Sequence, residues 1–289
     1  PRVRSLYGNR TLTFNSDPYF NTTGVQRVAP DADLRQDNGG MAVTGRNVTV
    51  AVLDTGINSQ HADLQGKIVQ NVRLADTQSI PGTFAYPAPV ENLTNTDLLG
   101  GHGTFVSGVI AASGASSSGR FAGVAPGARL IGLSAGDLNL MYVLSGFDYL
   151  LEKRVQYNVR VVNCSFSANT VFDLNDPVNV ATRLLTDAGV NVVFSAGNSG
   201  SGNGTMNPYA IAPWVIGVGA TDAAGRLASY SSRGNFGDAL QHPSLVAPGT
   251  NIISLRSAAG ITGVSGLAGA DVQRLSATEM PYYTTATGT

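Results

Sequence analysis

The 289-residue chain is poor in cysteine and in charge, and each shortage excludes a class of protein. Its one cysteine, Cys164, cannot form an internal disulfide framework and does not match the spacing of a zinc motif. Charged residues make up 13% of the chain and the net charge is −1, which gives no electrostatic reason to expect nucleic acid as a partner. No apolar run approaches the roughly 18 residues of a transmembrane helix, so no membrane span is predicted.

What the sequence does contain is a regular alternation of short apolar runs with helix-like segments. Strands are predicted at residues 47–53, 130–133, 159–166, 191–195, 214–219 and 251–255. Helices are predicted from His102, from Asp137 to about Lys153, and from Asp176-Pro177 to Gly189. Residues 76–98 are predicted to be a long surface loop and residues 113–119 a flexible one. The alternation predicts one three-layer α/β domain, in which a mostly parallel central sheet carries helices on both faces.

Three polar residues stand where such a sheet would bring them together. Asp54 ends the first strand, Asn198 follows the strand at 191–195, and His102 begins a helix after a glycine turn. The carboxyl ends of parallel strands meet at one edge of a sheet, where functional sites gather. Taken alone, His102 is typical of an ordinary helix start and Asn198 of a turn. The Asp-Thr-Gly motif at Asp54 also occurs in aspartic peptidases, but these need a second such carboxylate, and the sequence has no other Asp-Thr-Gly or Asp-Ser-Gly.

Seven segments, in this order, give the three residues a context. They are Asp54-Thr55-Gly56-Ile57, Gly101-His102-Gly103-Thr104, Gly123-Val124-Ala125-Pro126, Asn163-Cys164-Ser165-Phe166, Ser195-Ala196-Gly197-Asn198, Ser229-Tyr230-Ser231-Ser232 and Ala247-Pro248-Gly249. Together they resemble the subtilisin-like serine peptidases, and the resemblance covers the chain from about residue 17 to its end. It implies the subtilisin-like α/β fold and a serine endopeptidase that uses a Ser-His-Asp triad.

The resemblance implies a role for each of the three residues. His102 would be the general base that takes the proton of a serine hydroxyl and returns it to the leaving amine. Asp54 would hold the imidazole in the correct tautomer and stabilise its charged form. Asn198 would donate its side-chain amide to the oxyanion of the tetrahedral intermediate.

The same resemblance implies how an extended polypeptide substrate would bind. Backbone groups of Leu133, Ser134, Ala135 and Gly136 on one side, and of Ser165, Phe166 and Ser167 on the other, would pair with the main chain of the peptide. Ser167-Ala168 replaces a pair that is usually glycine in the family, and Met206 aligns with the floor of the same pocket. We therefore expect small or medium apolar side chains before the scissile bond rather than Arg, Lys or Trp.

No cofactor is predicted, and calcium is the one metal that the resemblance brings into question. Asp63, in the segment His61-Ala62-Asp63-Leu64, matches a calcium ligand of the family. The loop at residues 113–119 offers no Asn or Asp as a further oxygen ligand. The sequence therefore leaves such a calcium site incomplete, and no metal ligand is assigned.

The resemblance breaks off at the C-terminus. The nucleophile of the family lies in a Gly-Thr-Ser motif at the start of a central helix, and this sequence ends at Gly288-Thr289. We interpret the chain as the large fragment of a peptidase, inactive alone, whose partner is a C-terminal fragment that begins with the catalytic serine. Thr289 would be a cleavage terminus left by autoproteolysis. Two other interpretations stay open: a non-catalytic subtilisin-like binding or regulatory module, and an engineered or partly degraded piece.

The N-terminal residues lie outside the region of resemblance. Residues 1–16 are interpreted as an arm, the remnant of a junction with a prosegment, and residues 17–289 as a peptidase domain that lacks its serine-bearing part. A removed propeptide is accordingly a further expected partner. Family habit and the low charge favour secretion or the cell envelope as the location.

Overall fold

A large, mostly parallel sheet organises the part of the chain that the computed structural model describes, residues 23–76, 86–136, 139–238, 240, 242–257 and 269–289. Its strands are β1 (Thr49–Asp54), β2 (Ile68–Ala75), β3 (Ala88–Val90), β4 (Arg129–Ser134), β5 (Val159–Cys164), β6 (Asn191–Ser195), β7 (Val215–Thr221) and β8 (Leu245–Pro248). Their order across the sheet is β3-β2-β4-β1-β5-β6-β7-β8. Every neighbouring pair is parallel except β2 and β3. The predicted mostly parallel α/β fold is therefore confirmed.

Helices cover both faces of this sheet. The helices are α1 (Val25–Val28), α2 (Ala32–Asp37), α3 (His102–Ala111), α4 (Leu140–Lys153), α5 (Pro177–Asp187) and α6 (Asp271–Arg274), with short 3-10 turns at Ala62–Leu64, Ala115–Ser117 and Pro208–Ala210. Along β1, Ala51 and Leu53 enter a buried cluster with α4 and α5, whereas Val50 and Val52 enter another with α3. Successive side chains of a strand point to opposite faces, so these clusters are two cores, one on each side of the sheet. This arrangement confirms the three-layer prediction.

A second, two-stranded sheet lies against α3. Its strands β9 (Ile252–Leu255) and β10 (Tyr283–Ala286) are antiparallel. The Ser254 hydroxyl donates to the carbonyl oxygen of Phe105 at 2.8 Å, and a Cβ on Gly108 would lie 2.4 Å from the side chain of Leu255. The segment predicted as a strand at residues 251–255 is therefore a strand, but it packs beneath α3 instead of extending the central sheet.

Several sequence-based boundaries differ from the structure for local reasons. The predicted loop at 76–98 contains β3, which pairs with the end of β2. The helix predicted from Asp137 begins at Leu140, because the side chain of Asn139 accepts the N–H of Met141 and caps the helix there. Asp137 itself lies outside the described residues, as does the predicted arm at 1–16.

The loop at 113–119, predicted to be flexible, contains the 3-10 turn Ala115–Ser117. The backbone N–H and the hydroxyl of Ser116 both donate to the Asp63 carboxylate at 2.8 Å, which fixes the turn to the rest of the fold. Among the described residues, no helix combines the length and the apolar composition needed to cross a bilayer.

Candidate active site

Asp54 and His102 meet at the carboxyl edge of the central sheet. Asp54 is the last residue of β1, a strand in which all six residues are buried, and His102 is the first residue of α3. The distance from His102 Nδ1 to Asp54 Oδ1 is 2.7 Å. The carboxylate is completely buried, whereas 45% of the imidazole side chain is exposed. Because an ionised carboxylate can only accept, Nδ1 carries the proton and Nε2 is left as the basic atom.

Two glycines allow this close approach of α3 to the end of β1. Gly101, which precedes His102, has a φ of 80°, a conformation that side chains other than glycine rarely adopt. A Cβ on Gly103 would lie 2.1 Å from the carbonyl oxygen of Gly56, which is closer than any real contact. The Gly-His-Gly spacing in the sequence therefore has a direct steric cause.

The environment of His102 raises its pKa above the ordinary value of 6.5. Burial by itself would lower the pKa, but the charge of Asp54, the hydrogen bond to Asp54 and the charge of Asp97 together outweigh burial. The imidazole therefore holds a proton more firmly than a free histidine does, while its exposed part stays open to a reactant. These are the properties of a general base that works close to neutral pH.

The two oxygens of Asp54 have different surroundings. Oδ1 accepts hydrogen bonds from His102 and from the N–H of Thr55, the latter at 2.7 Å. Oδ2 is buried and accepts no hydrogen bond from the described residues. A buried carboxylate oxygen without a donor is costly, and a positive charge on His102 offsets part of that cost. The pair therefore favours the imidazolium form.

Asn198 lies at the same edge of the sheet, three residues after the end of β6. One strand, β5, separates β1 from β6, so the ends of β1 and β6 lie roughly 10 Å apart. Asn198 Oδ1 accepts the backbone N–H of Thr289 at 3.0 Å and the Thr289 hydroxyl at 3.1 Å. A backbone N–H can only donate, so this contact fixes the amide with Oδ1 towards Thr289 and leaves Nδ2 as a donor.

The first predicted substrate segment leaves β4 at this edge. Leu133 is completely buried and pairs with β1 on one side and β2 on the other, so it is a core residue and not part of a peptide-binding edge. Ser134 is the last paired residue of β4, and the N–H of Ala135 donates to the carbonyl oxygen of Asp54 at 2.9 Å. Gly136, with a φ of 58°, turns the chain away from the ladder. Of this segment, only the chain from Ala135 onwards lies beyond the sheet.

The second predicted substrate segment follows the end of β5. Phe166 is buried, and its carbonyl oxygen accepts the side-chain amide of Asn207 at 2.8 Å. The same amide donates to the carbonyl oxygen of Ser195, also at 2.8 Å. Asn207 therefore ties together the chain ends that follow β5 and β6, a role that the sequence analysis missed. Its neighbour Met206 is buried, as a residue in a pocket floor would be, and Ser167 is exposed.

A cleft of about 540 Å³ lies beside the first substrate segment. Ser134 and Gly136 line it, together with the apolar side chains of Leu98, Leu99 and Tyr142. Leu98 and Leu99 are about half exposed and stand a few residues before His102 in the chain. Arg73, Asp76 and Asn139 also line the cleft, so it presents both charged and apolar side chains to an incoming chain.

The residues around Asp63 do not fit a calcium ion. Asp63 is completely buried, and its Oδ1 accepts the N–H and the hydroxyl of Ser116. Its Oδ2 accepts the phenol hydroxyl of Tyr283, so hydrogen atoms point at both oxygens where a cation would need lone pairs. No group of three or more His, Cys, Asp or Glu side chains in the described part of the chain could hold a metal ion.

The sequence of the chain is similar to those of known serine proteases. The model of the subtilase family matches residues 45–289 of the chain. The chain belongs to the subtilase family. Serine protease AprX of Bacillus subtilis (strain 168) is 32% identical over 276 residues, which are 88% of this chain and 56% of AprX. The major intracellular serine protease of the same organism is 32% identical over 221 residues, which cover 73% of this chain and 61% of that protein.

Solved subtilase structures support the same fold. Sphericase superposes with a TM-score of 0.63 at 26% identity, over 92% of this chain and 77% of sphericase. The chain spans about half the length of the first curated relatives that it matches. The subtilase fold and family are therefore established, while the activity of the whole protein is a matter of proposal.

Proposed function

We propose that this subtilase is a serine endopeptidase in which His102 is the general base, Asp54 orients it and Asn198 donates to the oxyanion. The nucleophile would be a serine that follows Thr289 in the complete protein. The observation that carries the proposal is the 2.7 Å contact between His102 Nδ1 and the buried Asp54 carboxylate at the edge that also holds Asn198. Family membership supports hydrolysis of a polypeptide substrate.

The position of Thr289 supports a nucleophile next to it. Its N–H and hydroxyl both bind Asn198 Oδ1, and its hydroxyl accepts the N–H of Gly197 at 3.2 Å. A residue joined to Thr289 would therefore start beside the Asn198 amide, whose Nδ2 is available as a donor. That is the place where the oxygen of an attacked carbonyl would need a hydrogen bond.

The chemistry then follows from the residues. The serine hydroxyl gives its proton to His102 Nε2 while its oxygen attacks the scissile carbonyl carbon, and the resulting oxyanion accepts a hydrogen bond from Asn198. The peptide C–N bond breaks as His102 returns the proton to the leaving amine. Water hydrolyses the acyl-enzyme with the same base. Asp54, whose Oδ2 has no donor among the described residues, favours the imidazolium that forms in each step.

An extended polypeptide is the substrate class that the surface favours. Its main chain would pair with Ala135 and Gly136, the part of the predicted segment Leu133 to Gly136 that lies beyond the sheet, and with the predicted segment from Ser165 to Ser167. At the position before the scissile bond, Ser167, Ala168 and the buried Met206 favour a small or medium apolar side chain over a charged one. A digest of a peptide library in which Arg or Lys dominates before the scissile bond would contradict this preference.

The proposal is tested on the complete protein, including the residues that follow Thr289. It should hydrolyse an unfolded protein substrate, and a fluorophosphonate probe should label one serine. His102→Ala should abolish both reactions, and Asn198→Ala should lower kcat by roughly 10²–10³ with a similar KM. Asp54→Asn should also lower kcat strongly, and Asp187→Asn is its matched control, because it makes the same charge change at an exposed residue at the end of α5.

The outcomes separate the proposal from its alternative. Undiminished turnover by Asn198→Ala would remove Asn198 from the oxyanion role. Binding of a peptide without probe labelling, and a residue other than serine after Thr289, would favour the non-catalytic binding or regulatory module. Intact-mass measurement of native material tests the predictions of autoproteolysis and a bound C-terminal fragment. The location stays a prediction, since one relative carries the name of an intracellular protease.

A further inference from the structure

Asp97 is a completely buried carboxylate in the loop before α3, and the sequence analysis missed it. Its Oδ1 accepts the hydroxyl of Thr55 and the N–H of Gly101, both at 3.0 Å. Its Oδ2 accepts the N–H of Thr104 at 3.1 Å and the Thr104 hydroxyl. Four donors from two segments therefore converge on one side chain, and these segments carry Asp54 and His102.

These contacts replace the cap that α3 lacks. The residue at the N-cap position is Gly101, which has no side chain to accept the free N–H groups of the first turn. Asp97 accepts the N–H of Thr104, and the Thr55 hydroxyl accepts the N–H of Gly103 at 2.9 Å. The first turn of the helix is thus held by groups from outside it.

We propose that Asp97 is a positioning residue for His102, which binds the start of α3 to the end of β1 and so keeps the imidazole against Asp54. The inference rests on the proposed peptidase function for its kinetic consequence, but its geometry does not depend on that function. Asp97 also contributes a second negative charge near the imidazole, and that charge adds to the effect of Asp54.

Three titratable groups from three elements lie around His102. Asp54 contacts the imidazole from β1, and Asp97 acts from the loop before α3. On β5, Cys164 faces Asp54, but burial raises the pKa of its thiol well above the ordinary value, so it is neutral at the pH where histidine titrates. Burial raises the pKa of the Asp97 carboxyl, and its hydrogen bonds from Thr104, Thr55 and Gly101 oppose that rise.

The test measures the imidazole pKa directly by NMR titration of the complete protein and of its Asp97→Asn variant. His102→Ala identifies the resonance of His102 among those of the other histidines. Loss of the Asp97 anion makes the imidazolium less favourable, so the pKa of His102 should fall by about half a unit or more. In the complete protein, the acid limb of the kcat/KM profile should move to lower pH by the same amount, with kcat reduced about tenfold or more and KM similar.

Two further variants keep the inference open to refutation. Asp187→Asn makes the same charge change at the far edge of the sheet and should leave the imidazole pKa and kcat unchanged.

If Asp97→Asn does not fold, Thr104→Val removes one donor to Asp97 while keeping the charge of Asp97. This variant should lower kcat at constant KM, and Thr104→Ser should restore kcat. A folded Asp97→Asn with the wild-type imidazole pKa and kcat, or a fully active Thr104→Val, would overturn the inference. A shifted imidazole pKa in a protein without peptidase activity would reject the proposed function alone.

Discussion

Completely buried aspartates lie in two regions of the molecule, and the two regions differ in the groups that neutralise the negative charge. At the carboxyl edge of the central sheet, Asp54 faces a histidine that can lose its proton, and its Oδ2 accepts no hydrogen bond from the described residues. Beside the small sheet, Asp271 Oδ2 accepts a hydrogen bond from Arg256 at 2.6 Å and from the Thr284 hydroxyl, and Asp271 Oδ1 accepts the N–H of Thr285.

The difference lies in whether the partner of the aspartate changes its charge. We call the charge of Asp54, whose partner titrates, a working charge, and that of Asp271, whose partner does not, a structural charge. Arg256 is permanently charged and about nine-tenths buried, so its pair with Asp271 has one protonation state and one arrangement. His102 changes its charge near neutral pH, and nearly half of its side chain is exposed. Asp271 is paired with a cation whose charge does not change with pH, whereas Asp54 is paired with a histidine whose charge does.

The largest expected effect is that of Asp54→Asn on turnover. The amide would offer its N–H to Nδ1 and favour the wrong tautomer of His102, so kcat of the complete protein should fall by about 10⁴. The free energy of unfolding should change little, because the substitution also removes an unbound buried anion. Steady-state kinetics and urea unfolding measure the two quantities on the same sample, with Asp187→Asn as control. Loss of stability without loss of turnover would erase the distinction between the two regions.

Asp271→Asn should have the reverse profile. It leaves the buried Arg256 without a counter-charge, which should lower the free energy of unfolding by about 3–5 kcal/mol. Turnover by the protein that remains folded should stay within a few-fold of wild type. Replacing both partners, as in Arg256→Met with Asp271→Leu, removes the unpaired charge and should recover part of the stability. The recovery is only partial because the Thr284 hydroxyl and the Thr285 N–H lose their acceptor. Urea unfolding of the three variants decides this, and a double variant as unstable as the single one would contradict it.

How far the sequence predicts these two regions follows from the length and spacing of their signals. β1 is a short apolar run that ends in Asp54, and β6 is one that Asn198 follows three residues later, so periodicity and motif order both predict them. β10 is Tyr-Thr-Thr-Ala, in which the Thr284 hydroxyl and the Thr285 N–H donate to the buried Asp271. Nothing local in the sequence distinguishes such a strand from a polar loop.

Asp97 shows the same limit within the candidate site. Its carboxylate accepts hydrogen bonds from Gly101 and Thr104, four and seven positions further on, and from Thr55, which is 42 positions earlier. One signal was present: a glycine at the start of a predicted helix leaves its first N–H groups without a side-chain acceptor, so an acidic residue close before it is a candidate cap. The contact with Thr55 depends on the parallel sheet and could be found only once the fold was known.

A smaller effect is expected at Tyr283, in the small sheet but bound to Asp63. Tyr283→Phe keeps the ring in place against Phe121, at 4.8 Å between centroids, and removes the hydroxyl that donates to Asp63. The free energy of unfolding should fall by about 1–3 kcal/mol, because the buried Asp63 Oδ2 loses its donor. Tyr282→Phe, at an exposed ring, is the matched control and should change little. Equal unfolding midpoints for the two variants would contradict a structural role for this contact.

The smallest expected effect is the change in the free energy of unfolding between about pH 6 and pH 8, and it distinguishes the two regions most directly. Burial opposes a charge on His102, but Asp54 and Asp97 outweigh it and raise the imidazole pKa above 6.5 in the folded chain. The folded state therefore binds a proton more tightly than the unfolded state. The stability from this proton is complete below pH 6.5 and is lost as pH rises through the higher pKa of the folded state. Turnover needs the neutral imidazole, so it should increase over the same interval in which stability decreases.

Arg256 provides the contrast, since a guanidinium does not titrate there and its pair with Asp271 should contribute equally at both ends of the interval. The loss of stability on Asp271→Asn should accordingly be the same at pH 6 and pH 8. His102→Ala should instead remove the decline of stability with pH, and the decline should be small because nearly half of the imidazole is exposed. Urea unfolding at a series of pH values, paired with kcat/KM at the same values, measures both trends. If stability and turnover instead increase together through this interval, the charge of His102 is not stabilised by Asp54. The proposed difference between Asp54 and Asp271 would then be wrong.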